Sequence, residues 1–369
     1  MKITGIKFAK LSIPLITPFK TSMRSVDHVQ DIVVMVTTSS GNIGYGSATS
    51  TPVITGDTHA SLIAAIDTLI KPKILGMEIE NLNGIVRIIQ SSMVGNYSAK
   101  AAIESAIYDL WGQHYKAPLY KLLGGGNGQL STDVTISVDA IDKMVSDSML
   151  AISQGFEILK IKIGTDLYED IERVKEIYQA IRDKALLRLD VNQGWSAKET
   201  VFAIQKLEQA GVELELIEQP VKAHDFAGMK YVSERVITPL MADESAFSAK
   251  DVINLIQTGA ADIINIKLVK TGGISNAIRI ADIAATYNVE CMIGCMLEGS
   301  VGISAAAHLA VAKSDIITKI DLDGPILGQY NPVVGGLTCE HAKIVLNETP
   351  GLGIESVDGL IELKTEDIF

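Results

Sequence analysis

Cysteine is scarce in this chain. Three occur in 369 residues, Cys291, Cys295 and Cys339, without the pairing pattern of a disulfide framework or the spacing of a zinc site. A stapled secreted domain is thereby excluded, and a reducing, cytoplasmic setting is expected. An excess of positive charge is also lacking: 32 Lys and Arg stand against 44 Asp and Glu, net −12. That balance argues against nucleic acid and anionic membrane as partners. The opening MKITGIKFAKLSIPL has no unbroken apolar stretch and no small-residue cleavage site, so no export signal is expected. No apolar run reaches the ~20 residues of a membrane span. The nearest, residues 291–312, is broken by Glu298, His308 and several glycines and reads as a buried strand and helix.

What remains is a chain of 47% hydrophobic and 21% charged residues, enough for a sizeable core and unlike a disordered chain. Its length exceeds a single barrel by roughly a hundred residues, which leaves material for a second domain. Residues 1 to about 50 alternate apolar and polar with Gly41, Gly44 and Gly46 as punctuation, as in an antiparallel meander. GNIGYG reads as a plain hairpin, since no helical pattern follows it and the order of a dinucleotide fingerprint is missing. From 58 to 123 the pattern turns helical, with Ala101, Ile103, Ala106, Ile107 and Leu110 on one apolar face. LLGGGNG at 122–128 marks a domain boundary.

Beyond it, apolar strand-like runs recur, each ending in residues suited to metal or proton chemistry: LKIKIG, LRLDVN, ELIEQP, PLMADES, INIKLVK and KIDLD. From Lys162 to Asp190, Glu218, Asp243 and Lys267 the steps are 28, 28, 25 and 24 residues, the length of a strand, a helix and two short loops. This predicts a parallel (β/α) barrel with strands over 133–138, 158–163, 186–191 and 214–218, then strands ending near 243, 267, 294 and 321. Helices are expected between them, as over 168–184 and 274–287. After Asp323 the chain turns polar and glycine-rich, and its KIVLN and LIELK segments are expected to return to the first domain.

Side chains at the carboxyl ends of barrel strands converge on one mouth, where such folds keep their active sites. Lys162 on strand 2 and Lys267 on strand 6 face each other across it. Asp190, Glu218 and Asp243, on the three strands between, form a set of hard oxygen donors suited to Mg²⁺. Three carboxylates against a dication leave one negative charge, so a substrate carboxylate needs a nearby lysine, and Lys160 is available on the same strand face. The assembly suits removal of a proton α to a carboxylate, and a lysine on each face permits inversion. A lysine base requires a depressed pKa, which like charge from Lys160 and partial burial would give Lys162. Singly, such residues can be a solvated strand edge or a helix cap; five of them ending five successive apolar strands favour function. Asn192, Gln219 and Ser245 are supporting groups or caps. TGG at 271–273 reads as the tight turn from strand 6 into its helix rather than a phosphate loop.

The KxK, DxN, EQP, DES and KxxKxGG set, with the helix AAIESAIYDLWGQHYKAPLYKLLGG, resembles the enolase superfamily, specifically its muconate-lactonising-enzyme-like subgroup, over nearly the whole chain. The resemblance implies an α/β fold: a modified (β/α)7β TIM-like barrel at 126–324 and an α+β capping domain formed by both chain ends, 1–125 with about 325–369. It implies Mg²⁺ on Asp190, Glu218 and Asp243, Lys162 and Lys267 as paired acid/base catalysts, and a homo-oligomer. The histidine-dependent branch is disfavoured, because CMIGCMLEGS holds no histidine and strand 6 ends in lysine.

Within this subgroup, cycloisomerases, o-succinylbenzoate synthases, N-acylamino acid racemases and dipeptide epimerases share the catalytic set. Strand 8 discriminates: Asp321 and Asp323 suit an ammonium and repel a second carboxylate, and DLD resembles the DxD of dipeptide epimerases. Arg24, in a segment resembling the family's capping loop with 51–58 as its companion, is placed to fork onto a side-chain carboxylate. The expected substrate is therefore a dipeptide such as L-Ala-L-Glu, in cell-wall peptide metabolism. Thr135 and Cys295 are further pocket candidates. A non-catalytic relative would have lost a lysine or a metal ligand, and none is missing.

Overall fold

The computed structural model describes residues 1–363. Three strands, Ile3–Lys20, Ser25–Thr38 and Ile43–Thr49, form an antiparallel meander, and Ile361–Leu363 adds a fourth strand on its outer edge. The GNIGYG run is the hairpin expected. Its glycines are there for contact: a Cβ at Gly44 or Gly46 would run into the carbonyls of Ala106 and Ala102, so the third strand lies directly against the helix Tyr97–Tyr115. The apolar sheet face, Ile6, Phe8, Ile32, Val34 and Val36, packs on Ile63, Ile66, Ile103 and Ile107.

The helix Tyr97–Tyr115 departs from the single apolar face its sequence suggests, since nearly every residue from Ser98 to Leu110 is buried. It is sandwiched. One side meets the sheet, and the other carries Glu104 into the barrel, where Glu104 Oε1 accepts the Ser275 amide at 2.5 Å and Oε2 accepts from Gln90 at 2.7 Å. Burial raises the Glu104 carboxyl to about 7, from an unfolded value near 4.5. Between those two pH values the folded chain holds a proton that the unfolded chain has released, so stability falls as pH rises from about 4.5 to 7 and is flat above. Over that window Glu104→Gln should gain of order 3 kcal/mol relative to the parent. Denaturant titrations at pH 5 and pH 8 check this, and a mutant-minus-parent difference that does not change with pH would refute it.

Eight parallel strands follow: Val134–Ile136, Ile158–Lys162, Leu186–Asp190, Leu216–Glu218, Leu240–Ala242, Ile263–Ile266, Glu290–Gly294 and Ile317–Asp321, hydrogen-bonded in chain order. Seven helices of eight to fifteen residues connect them, among them Leu167–Ile181, Ile274–Thr286 and the buried Ser300–Ala312. After strand 8 only the four-residue turn Gly324–Leu327 stands in the place of an eighth helix. The barrel is nearly closed. Its seam between strands 8 and 1 is bridged by the Leu322 amide on Thr132 Oγ1 at 2.8 Å and the Thr135 amide on Asp323 Oδ2 at 2.7 Å. Lower in the barrel, Arg188 is 2% exposed and joins strands 3, 1 and 4 through Asp133 at 2.8 Å and Glu215 at 2.6 Å.

Of the two late strand-like segments, only LIELK joins the N-terminal sheet, through Ile361–Leu363; its Lys364 lies outside the described residues. Lys343–Leu346 instead pairs with Leu337–Glu340 and with Gln129–Ser131, just before the first barrel strand. Alternation of apolar and polar residues tells which side chains turn inward, not which strand edge they join. No helix among the described residues is long and apolar enough to cross a membrane. His308 is buried and structural, its Nδ1 accepting the Tyr120 amide at 3.0 Å.

Candidate active site

Parallel register sets the chemistry side by side: Lys162 pairs with Asp190 and Asp190 with Glu218. Residues in register point to the same face of a sheet, so these three side chains enter the barrel mouth together. Asp243 and Lys267 follow the last residues of strands 5 and 6, and Cys295 that of strand 7. Gly294 makes this possible, because a Cβ there would meet Asn265 Oδ1 and Lys267 Cε at 2.6 and 3.0 Å. Lys160, Lys162, Lys267, Thr135, Cys295, Asp321, Asp323 and Arg24 all line one chamber at this mouth, roofed by Phe19, Met23, Val53 and Ile54 from the N-terminal segment.

Asp190, Glu218 and Asp243 are fully buried beneath it. Each carboxylate is turned onto an ammonium group. Lys162 Nζ lies 2.6 Å from Asp190 Oδ2, an acid partner absent from the sequence argument. Lys160 sits 3.1 Å from Asp190, 2.7 Å from Glu218 and 2.7 Å from Asp321. Lys267 is 2.8 Å from Asp243. Lys270, wholly buried, lies 2.5 Å from Asp243 Oδ1 and donates to the Asn265 carbonyl at 3.0 Å. Asn265 in turn donates to Glu218 Oε1 at 2.7 Å.

Burial alone would raise all three acids. It wins at Glu218, raised to about 7 with help from the Asp190 charge. At Asp190 the ammonium groups of Lys162, Lys160 and Lys267 outweigh it, and at Asp243 those of Lys267 and Lys270 do, holding both well below the usual range. Against burial, the Asp243 charge holds Lys267 above its ordinary value. Asp321 stays depressed because Lys160 overcomes its burial, whereas burial and the Asp321 charge lift Asp323 to about 6. Cys295 is raised by burial, which makes it a lining group rather than a nucleophile.

Supporting residues are held in strained backbone. Asn192, Gln193 and Gln219 take φ of 43°, 66° and 34°, left-handed conformations that cost non-glycine residues about 1–3 kcal/mol each and cluster at working sites. Gln219 Oε1 receives the amides of Asp243 and Ser245 at 3.0 and 3.1 Å. Asn192 accepts from Lys162 at 3.3 Å and donates to Glu244 at 3.3 Å. Asn265 was not singled out in the sequence, and Glu244 and Lys270 were given no role there. A signal existed for each: Asn265 shares the inward face of strand 6 with Lys267 at i−2, Glu244 is the middle of DES, and Lys270 is the second lysine of KxxKxGG. Burial, followed by the Asp243 and Asp190 charges, raises the Glu244 carboxyl to about 8.

As they stand, no three acidic, histidine or cysteine side chains among the described residues converge tightly enough to hold a cation. The donor set nonetheless fits one: Asp190 and Glu218 stand in register on adjacent strands and Asp243 follows the end of the next, three buried carboxylates that offer the hard oxygen donors a dication such as Mg²⁺ takes.

Two family descriptions match the chain. The mandelate racemase / muconate lactonizing enzyme N-terminal domain covers residues 3–124, and the enolase C-terminal domain-like model covers 144–358. The chain belongs to the enolase superfamily. Within the superfamily it is 51% identical over 358 residues to the L-Ala-D/L-Glu epimerase of Clostridium acetobutylicum, covering 97% of this chain and 100% of that one. The substrate-liganded structure of the L-Ala-D/L-Glu epimerase from Bacillus subtilis superposes with a TM-score of 0.95 at 44% identity, over 97% of this chain and 99% of that one. The Enterococcus faecalis dipeptide epimerase, crystallised with Mg and L-Leu-L-Tyr, gives 0.93 at 41% identity, over 96% and 100%.

Proposed function

We propose that this chain is a Mg²⁺-dependent dipeptide epimerase that inverts the α-carbon of the C-terminal residue, with L-Ala-L-Glu and L-Ala-D-Glu as its preferred pair. The observation carrying this reading is the single chamber lined by Lys162 and Lys267, above three buried carboxylates and beside the Asp321–Asp323 pair. Asp190, Glu218 and Asp243 would hold Mg²⁺. When bound, it supplies positive charge beside the substrate carboxylate, where negative charge grows as the α-proton leaves.

The chain's own groups do the rest. Lys162 and Lys267 act on opposite faces of the α-carbon: in one direction the first takes the proton and the second returns one, and in the other the roles exchange. Each lysine leans on its own carboxylate, Asp190 or Asp243, so the charge that it gains on taking a proton is met within 2.8 Å. Lys160, fixed by three acids, adds positive charge where the substrate carboxylate would arrive. Asp321 and Asp323 receive the substrate ammonium. Asp321 already pairs with Lys160 and Asp323 with the Thr135 amide, so their orientations are set in advance. The roof of Phe19, Met23 and Ile54 keeps bulk water from the enolate.

Arg24 selects the C-terminal side chain. It lines the mouth, has no acidic partner among the described residues, and burial lowers its pKa. A desolvated guanidinium without a counterion favours a substrate that brings a carboxylate. Arg24→Ala should cut kcat/KM for L-Ala-L-Glu by roughly 10–100-fold, the worth of one hydrogen-bonded charge, and leave dipeptides with neutral C-terminal side chains little changed. A role in recycling cell-wall peptides in the cytoplasm belongs to the same proposal and accords with three unpaired cysteines.

Proton NMR in D₂O tests the reading, with L-Ala-L-Glu beside other L,L-dipeptides and N-succinyl amino acids, in the presence of Mg²⁺. Loss of the C-terminal α-proton signal with appearance of the L,D diastereomer is expected. Exchange confined to an N-succinyl amino acid would overturn it in favour of an N-acylamino acid racemase.

A further inference from the structure

A second cavity, of about 180 Å³, lies on the outer side of barrel strand 1. It is lined mainly by apolar groups, among them Val134, Ile136, Leu150, Ala151, Phe156 and Ile326. Topology explains its presence. A full eighth helix would pack in this sector, but the chain offers only the turn Gly324–Leu327. Three residues, Phe19, Thr135 and Leu327, line both this cavity and the reaction chamber. The two spaces are therefore separated by little more than these three residues.

The wall stands at a telling place. Thr135 donates its amide to Asp323, and Asp323 with Asp321 is where the ammonium of a dipeptide is placed above. The side chain of the N-terminal residue branches one bond from the carbon that bears this ammonium. It therefore starts next to Thr135 and Leu327. A methyl group needs no more room than that, whereas an isobutyl or benzyl group would meet the wall. We propose that Leu327, with Phe19, limits the size of the substrate's N-terminal side chain, and that the cavity behind it admits a large apolar side chain once Leu327 is cut back. This rests on the epimerase reading. Phe19 also faces Lys162, whose Nζ lies 5.8 Å from its ring centroid, and Thr135 holds Asp323, so Leu327 is the part of the wall that can be altered away from proton transfer.

The experiment measures kcat/KM for L-Leu-L-Glu and L-Ala-L-Glu with the unaltered chain, with Leu327→Ala, and with Leu327→Ala combined with Ala151→Leu, which fills the cavity from its far side. The ratio of the leucyl to the alanyl substrate should rise roughly 10-fold or more in Leu327→Ala, the discrimination that a few methylenes command in an apolar pocket, and should fall back in the double variant. Leu327→Val, a milder truncation, should give a smaller rise and serves if the alanine variant does not fold. An unmoved ratio in an active enzyme overturns the proposal, as does a raised ratio that Ala151→Leu leaves in place. No turnover of any dipeptide by the unaltered chain would overturn the epimerase reading instead, and this inference with it.

Discussion

Lys267→Met should abolish conversion of L-Ala-L-Glu to L-Ala-D-Glu while one of the two epimers still exchanges its α-proton with D₂O. The reason lies in the division of labour across the chamber. Lys162 remains beside Asp190 at 2.6 Å, able to take a proton from its own face and return a deuteron there. The opposite face would then lack the ammonium that the proposed mechanism assigns to it. Asp243 keeps Lys270 as a partner, so the carboxylate that Lys267 leaves behind is not stranded. Loss of one positioned acid or base costs roughly 10²–10⁴-fold, and inversion needs both, so the upper end is expected for inversion. Retained exchange without inversion separates a missing catalyst from a damaged fold. Inversion at an undiminished rate, or equal exchange of both epimers, would remove Lys267 from the reaction.

Glu218→Gln should give the second large effect, a loss of Mg²⁺ binding together with activity. Glu218 is the central carboxylate of the three, bonded to Asn265 on one oxygen and facing Lys160 on the other. The amide is nearly isosteric and keeps an acceptor for Asn265, yet removes one of the three negative charges. Metal-held charge supplies several kcal/mol at the transition state, so a drop of roughly 10³-fold in kcat/KM is expected. Titration calorimetry with Mg²⁺ alone reads the binding half independently of turnover. Unchanged affinity for Mg²⁺ would show that Glu218 is not a ligand.

The barrel was legible because chemistry marks its strand ends. An apolar run that stops at Lys, Asp or Glu every 24 to 28 residues announces both the strand and the direction of its mouth, and strands 2 to 8 end within two residues of the expected positions. The family resemblance extended this to the whole architecture. Partner choice was less legible. KIVLN read correctly as a strand, but its edge is that of Gln129–Ser131 rather than the N-terminal sheet, a choice made by three-dimensional proximity.

At the site, the lysines and acids were visible as residue types, whereas their engagements were not. Lys160 was expected beside a substrate carboxylate, and nothing in the sequence hinted that the fold also ties it to Asp190, Glu218 and Asp321. Asn265 looked like an ordinary strand residue and Lys270 only like part of the KxxKxGG motif, because what gives them their tasks is burial against Glu218 and Asp243. Glu104 gave no signal beyond one acid within an apolar helix. Its task depends on the helix Ile274–Thr286, reached only after 170 further residues.

The pairing of Ala9 with Glu362 sets a timetable for biosynthesis. The edge of the sheet that begins at Ile3 is filled by a strand some 350 residues later, which a ribosome adding 5–20 residues per second reaches only after roughly 20–70 s. Throughout that interval the first strand presents an unoccupied edge to the nascent chain and to its neighbours. An open edge invites association between copies. The three residues Ile361–Leu363 therefore act as a late seal, and shortening the chain before them should be felt first as aggregation during synthesis, well before any loss is measurable at the distant reaction chamber.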